Sequence, residues 1–213
     1  MTGSYVGYSV VMSLLFRFVD AVPVDISQDY REGYTVVFEV WLGGTKRIEL
    51  VSIDLVVDAT QPDDYEVLIP VNRLDVEGVK MFNYITNTPE KRIAEKVCAT
   101  MQTYGNGPSS RVKDLVDLIV SMRGEEVDAD KLACIISAEC KLRRIPPFDN
   151  FSVPDNWKVN LSTNYKKLAY EAQLPAEYSE VDVAEVMIRN WIAPAINAEA
   201  AGCRWKPDAQ RWF

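Results

Sequence analysis

The chain contains no histidine at all. That absence excludes imidazole acid-base chemistry, Ser-His triads and the commonest zinc ligand sets together. Any catalysis must rest on carboxylates, lysine and a hard metal. Its four cysteines, Cys98, Cys134, Cys140 and Cys203, form no C-x-x-C pair, and Cys98 and Cys134 stand in apolar helical contexts, so buried thiols are expected. The run Val10 to Phe16 is too short to span a bilayer and follows no basic residue, which argues against a membrane helix or a secretory signal. A cytoplasmic protein is expected. Basic residues are outnumbered, 23 against 31 acidic, for a formal charge of −8. This charge argues against indiscriminate nucleic-acid binding, and an RNA substrate would need a local basic patch. Lys141, Arg143 and Arg144 are one candidate patch and Lys166 with Lys167 another, unless both are solvated helix faces.

What is present suffices for a folded protein of 213 residues, which can bury a core without disulfides. The first third reads as sheet. LLFRFVDAVPVDI, YTVVFEVWL and RIELVSIDLVV are rich in Val, Ile and Phe, and Gly43-Gly44 between the last two predicts a hairpin. The third run is apolar on both sides near its end, which predicts a central place in the sheet. Within it, Asp54 lies between Ile53 and Leu55. A carboxylate there needs a metal, a hydrogen-bond donor or a cation such as Arg47 across the hairpin. Val76 to Tyr84 is expected to return a last strand.

Helical signals follow. Thr88-Pro89-Glu90 predicts a helix start, with Ile93, Val97 and Met101 on its apolar stripe and Gly105 at its end. Ser109 or Ser110 is expected to cap a second helix, with Val112, Leu115, Val116, Ile119 and Val120 as its stripe and Gly124 as its stop. A third helix is predicted from Asp128–Asp130 to Leu142, stopped by Pro146-Pro147. Two more span Trp157 to Leu174 and Val181 to Ile196, the latter with Val183, Val186, Met187 and Trp191 on one side. The architecture expected is α/β of the α+β kind: a strand-rich part over 1–86, mostly antiparallel, and a helical part over 87–213.

Across the short YGNGPSS turn, antiparallel pairing of the first two helices would bring Lys96 to one cleft with Asp114 and Asp117. From spacing alone this is either a site or a solvated polar face. The motifs themselves, Ala94-Glu95-Lys96-Val97 followed by Ser110-Arg111-Val112-Lys113-Asp114-Leu115-Val116-Asp117-Leu118, resemble those of AbiEii/AbiGii-type nucleotidyltransferase toxins. The likeness extends from about Phe16 to the closing Trp205 and Trp212.

That resemblance implies a polymerase-β-like nucleotidyltransferase that uses Mg2+ and a nucleoside triphosphate (NTP), donates a nucleotide to RNA (tRNA acceptor ends) and is paired with a cognate antitoxin. Carried over by position, Lys96 would contact the triphosphate, Asp117 would be a catalytic or orienting carboxylate, and Asp114, Arg111 and Lys113 would support the cleft. Asp54 would be the third metal carboxylate. One family element is not found: the Gly-Ser turn followed on a strand by Asp-x-Asp. Gly3-Ser4 matches the turn weakly, Asp20 is followed by Ala-Val and Asp25 by Ile-Ser, and Asp128-Ala129-Asp130 reads as a helix cap. The chain is therefore expected to lack the N-terminal catalytic portion, by truncation, a misplaced start or divergence. An alternative reading is a catalytically incomplete remnant that binds protein or RNA. A sheet short of its first strands is expected to cover its free edge as a homodimer.

Overall fold

The computed structural model describes residues 14–24, 31–58, 64–71, 82–105 and 107–213. Gly3-Ser4, Asp25 and most of the segment from Val76 to Tyr84 lie outside the described residues. The chain divides into two compact units, Met1–Gln61 and Pro62–Phe213.

In the first unit, β1 (Leu14–Val24), β2 (Arg31–Leu42) and β3 (Lys46–Asp58) form an antiparallel sheet in the order β1-β2-β3. The expected hairpin joins β2 to β3. The connection is the three residues Gly43 to Thr45 between the paired Leu42 and Lys46; Gly43 and Gly44 take the positive φ values of 57° and 71° that glycine adopts without strain, and Thr45 N–H bonds the Leu42 carbonyl at 3.2 Å. The predicted central position of β3 is corrected: β2 is central and β3 is an edge among the described residues. Apolar content on both faces of a strand does not prove that both are covered. Ile53, Leu55 and Val56 are in fact exposed.

The second unit opens with the hairpin β4 (Tyr65–Leu68) and β5 (Tyr84–Asn87) and then becomes helical. α1 (Pro89–Met101) starts as expected, with Thr88 at the N-cap position and Pro89 at the first helical one. It stops short of Gly105, which instead lies in the tight connection between β6 (Thr103–Tyr104) and β7 (Gly107–Pro108). α2 (Val112–Gly124) ends at the predicted glycine. β8 (Val127–Asp128) leads into α3 (Ala129–Arg143), where the Asp128 carboxylate accepts the Lys131 N–H at 3.0 Å, so the Asp-Ala-Asp triplet is a helix cap.

A π-helical turn at Trp157–Leu161 precedes α4 (Ser162–Glu171), and α5 (Val181–Ile196) carries Pro194 inside its last turn. The buried stripe of α5 is Val181, Ala184, Ile188, Trp191, Ile192 and Ala195. Val183 and Val186 are exposed, so the predicted stripe is shifted by a fraction of a turn. Last come β9 (Arg204–Lys206) and β10 (Arg211–Trp212), which pair with each other, β9 also pairing with β8.

The core of this unit is continuous. Ile93, Val97, Leu115, Leu118, Ile119, Leu132, Trp157, Tyr165, Ile188 and Trp205 belong to one buried cluster contributed by all five helices and the terminal hairpin. Cys98 and Cys140 are buried in it with their sulfurs 3.8 Å apart, as free thiols. Cys134 is exposed, which corrects its expected burial: it lies on the outer side of α3.

Candidate functional site

The charged residues singled out by spacing meet on one side of the α1–α2 pair. Arg92 on α1 ion-pairs with Glu125 at the end of α2 (2.9 Å), while Lys96, one turn later, reaches Asp117 and Asp114 near its start. The two helices therefore run in opposite directions, and the apolar stripes between them leave these polar groups at their flank. Lys96 donates to Asp117 Oδ2 at 2.7 Å and stands 3.5 Å from Asp114 Oδ1. Lys113, one turn before Asp117 on α2, donates to the same carboxylate at 2.8 and 3.0 Å. Arg111 Nε donates to Asp114 Oδ2 at 2.6 Å.

Burial grades these partners. The Asp114 side chain is only 7 % exposed, those of Lys96 and Asp117 about a quarter, and Lys113 and Arg111 extend into solvent. Desolvation pushes the Asp117 carboxyl up, but the hydrogen bonds from Lys113 and Lys96 outweigh it and hold the group below the usual aspartate range. Asp117 is thus an anion clamped between two ammonium groups. Three cations face two carboxylates, which leaves the cluster with one positive charge in excess. Such a cluster is suited to hold a phosphate chain, because its outer members keep free donor directions toward solvent.

A second ionic knot on α1 and α3 carried no sequence signal apart from its i,i+4 spacing. Glu139, 1 % exposed, accepts from Lys91 at 2.5 Å and from Arg143 Nε at 2.8 Å, and Arg143 also donates to Gln102. Arg143 is therefore not part of an exposed basic patch. Lys166 and Lys167 pair with Glu180 and Glu171.

Residues 14–184 match a family model described as nucleotidyl transferase AbiEii toxin, type IV TA system. The chain belongs to this AbiEii toxin family. No curated protein matches it. The matched segment holds all the residues assigned above by resemblance, from Asp54 on β3 to Lys96 on α1 and Asp117 on α2. No described helix is long and apolar enough to cross a membrane.

An AbiEii-type transferase implies a two-magnesium centre, and the donors of this chain were weighed against it. Asp54 accepts the Thr35 hydroxyl at 2.7 Å from the directly opposed position on β2, on an exposed strand face, while Arg47 pairs with Glu39 instead. Asp114 and Asp117 are saturated by cations. Among the described residues no group of three carboxylate or thiol side chains converges on one point. Two hard cations in octahedral geometry need more oxygen donors than this. The donors among the described residues do not fit a two-metal centre.

Proposed function

We propose that this AbiEii-family chain binds a nucleoside triphosphate at the Lys96–Asp117 cluster, for transfer of a nucleotide to RNA, tRNA by family resemblance, and that an antitoxin protein is its partner. The observation that supports this reading is the convergence of Lys96, Lys113 and Arg111 on Asp114 and Asp117 across two helices. The carboxylates fix the three cations in place, so little side-chain entropy remains to be lost when a triphosphate arrives. Lys96, held by two acids at the helix flank, supplies a positioned ammonium, and the exposed ends of Arg111 and Lys113 supply further donors. Asp117 acts as a positioning residue, since it orients both lysines.

The donor set at Asp54 favours a second reading for activity: a chain that holds nucleotide, RNA or antitoxin without transferring anything. Titration calorimetry with each of the four ribonucleoside triphosphates in magnesium buffer tests the binding step. One of them is expected to bind, and Lys96→Ala to weaken it about tenfold to a hundredfold, the loss expected for a hydrogen bond to a charged group. Asp117→Ala should weaken it too, by freeing the lysines. Incorporation of α-labelled nucleotide into total tRNA then separates the readings. Labelling abolished by Asp54→Asn supports transfer, and binding without labelling supports the second reading. Absence of binding by all four nucleotides overturns the proposal.

A further inference from the structure

The β6-β7 hairpin sets an aromatic ring beside the cation cluster. Its register pairs Thr103 with Pro108 and Tyr104 with Gly107, and directly paired residues share a face, so the hairpin has two different sides. Thr103 and Pro108 line a cleft with Ser152, Val153 and Pro154. Tyr104 is turned the other way, toward the side of α1 that carries Lys96. Its hydroxyl donates at 3.4 Å to the carbonyl of Ala99, which stands in the last turn of α1, where carbonyls have no donor within the helix. Ala99 follows Lys96 by three residues and is therefore its neighbour on the helix surface. From the start of α2, Arg111 comes close enough to Tyr104 for the two to interact electrostatically.

Two features leave this ring open to a ligand. Gly107, its partner across the hairpin, has no side chain to cover it, and the space a Cβ would enter there is empty, with no atom within 4 Å. Tyr104 itself is only partly buried. A phenol anchored at its hydroxyl end also has little freedom left to lose when something packs on it. Cations beside a bare aromatic face match the two halves of a nucleotide: the phosphates carry charge, and the base offers a flat π surface that stacks on tyrosine. An inorganic polyphosphate can use only the first half of such a site.

We propose that Tyr104 is the base platform of the triphosphate site, so that the nucleobase stacks on its ring while Lys96, Arg111 and Lys113 hold the phosphates. This rests on the triphosphate reading given above and extends it from the phosphates to the base. Stacking engages the face of a base and not its edge, so Tyr104 supplies affinity rather than discrimination among bases.

Titration calorimetry of the full chain with each ribonucleoside triphosphate and with inorganic tripolyphosphate, all in magnesium buffer, tests the platform. Tyr104→Ala is expected to weaken nucleotide binding about tenfold, the loss of one stacked base, and to leave tripolyphosphate binding within about twofold of native. Tyr104→Phe keeps the ring without the hydrogen bond to Ala99 and should bind nucleotide nearly as the native chain does. Lys96→Ala should weaken both ligands. Equal losses for nucleotide and tripolyphosphate in Tyr104→Ala would mean that the residue only holds the hairpin in place, which overturns the proposal. Nucleotide binding indifferent to Tyr104→Ala overturns it as well, and leaves the phosphate contacts standing. A native chain that binds neither ligand would sink the triphosphate site itself, and the platform with it.

Discussion

Glu139 shows how a single carboxylate can tie two helices. With 1 % exposure it has no water to stabilise its charge, and only Lys91 and Arg143 make that charge tolerable. Desolvation pushes its pKa up and the two hydrogen-bonded cations more than compensate, so its carboxyl is held below its ordinary 4.5. A group depressed on folding contributes stability above its unfolded value, and that contribution disappears as pH falls through the folded one. Asp117 behaves in the same direction. The urea midpoint is therefore expected to be level near neutrality and to drop below about pH 4.5. Glu139→Gln should cost about 3 kcal/mol at pH 7, because it leaves two cations facing a neutral amide. The gap between native and variant midpoints should narrow as the pH is lowered past 4 to 5, and a gap constant down to pH 3 would refute the assignment.

At the scale of elements, the terminal hairpin has a disproportionate effect on α2. The last carbonyls of a helix have no donor within it. Glu125 N–H satisfies Ser121, and the Trp205 indole satisfies Met122 at 2.7 Å from the far end of the sequence. Trp205 also lies between Trp191 of α5 and Trp212, with ring centroids 5.7 and 5.5 Å away. Trp205→Ala is expected to lower stability by about 3–5 kcal/mol through the cavity alone. Trp205→Phe keeps most of the packing but strands the Met122 carbonyl, at about 1–3 kcal/mol. Thermal unfolding followed by tryptophan fluorescence and circular dichroism would rank the two variants, and equal losses would mean that the hydrogen bond contributes nothing.

None of this terminal arrangement was legible beforehand, because strands of two or three residues are too short to show a period. Helices were different: the starts of α1 and α3 and the stop of α2 are written in local chemistry, as Thr88-Pro89, Asp128 and Gly124. The meeting of Lys96 with Asp117 was legible too, since a short turn between two amphipathic helices leaves few ways to pair them. What spacing cannot encode is a neighbour's position. Cys134, Val183 and Ile53 have apolar contexts in the sequence and are exposed, because burial depends on which elements come to cover them.

For the whole molecule, the distribution of its core predicts how it unfolds. All members of the continuous buried cluster fall between Ile93 and Trp205, inside the second unit, whereas Val40 is the one buried large side chain described in the first. A three-stranded sheet with so little covered area cannot offset the entropy of ordering its own long strands. The second unit, by contrast, has the size and the filled interior of an independent domain. A fragment spanning 62–213 is therefore expected to fold alone, with near-ultraviolet circular dichroism and a melting temperature within a few degrees of the full chain. It should also keep the Lys96–Asp117 cluster, since both helices that carry it lie inside. Triphosphate affinity retained by the fragment would place recognition wholly on α1 and α2. A fragment that folds but no longer binds would refute that placement.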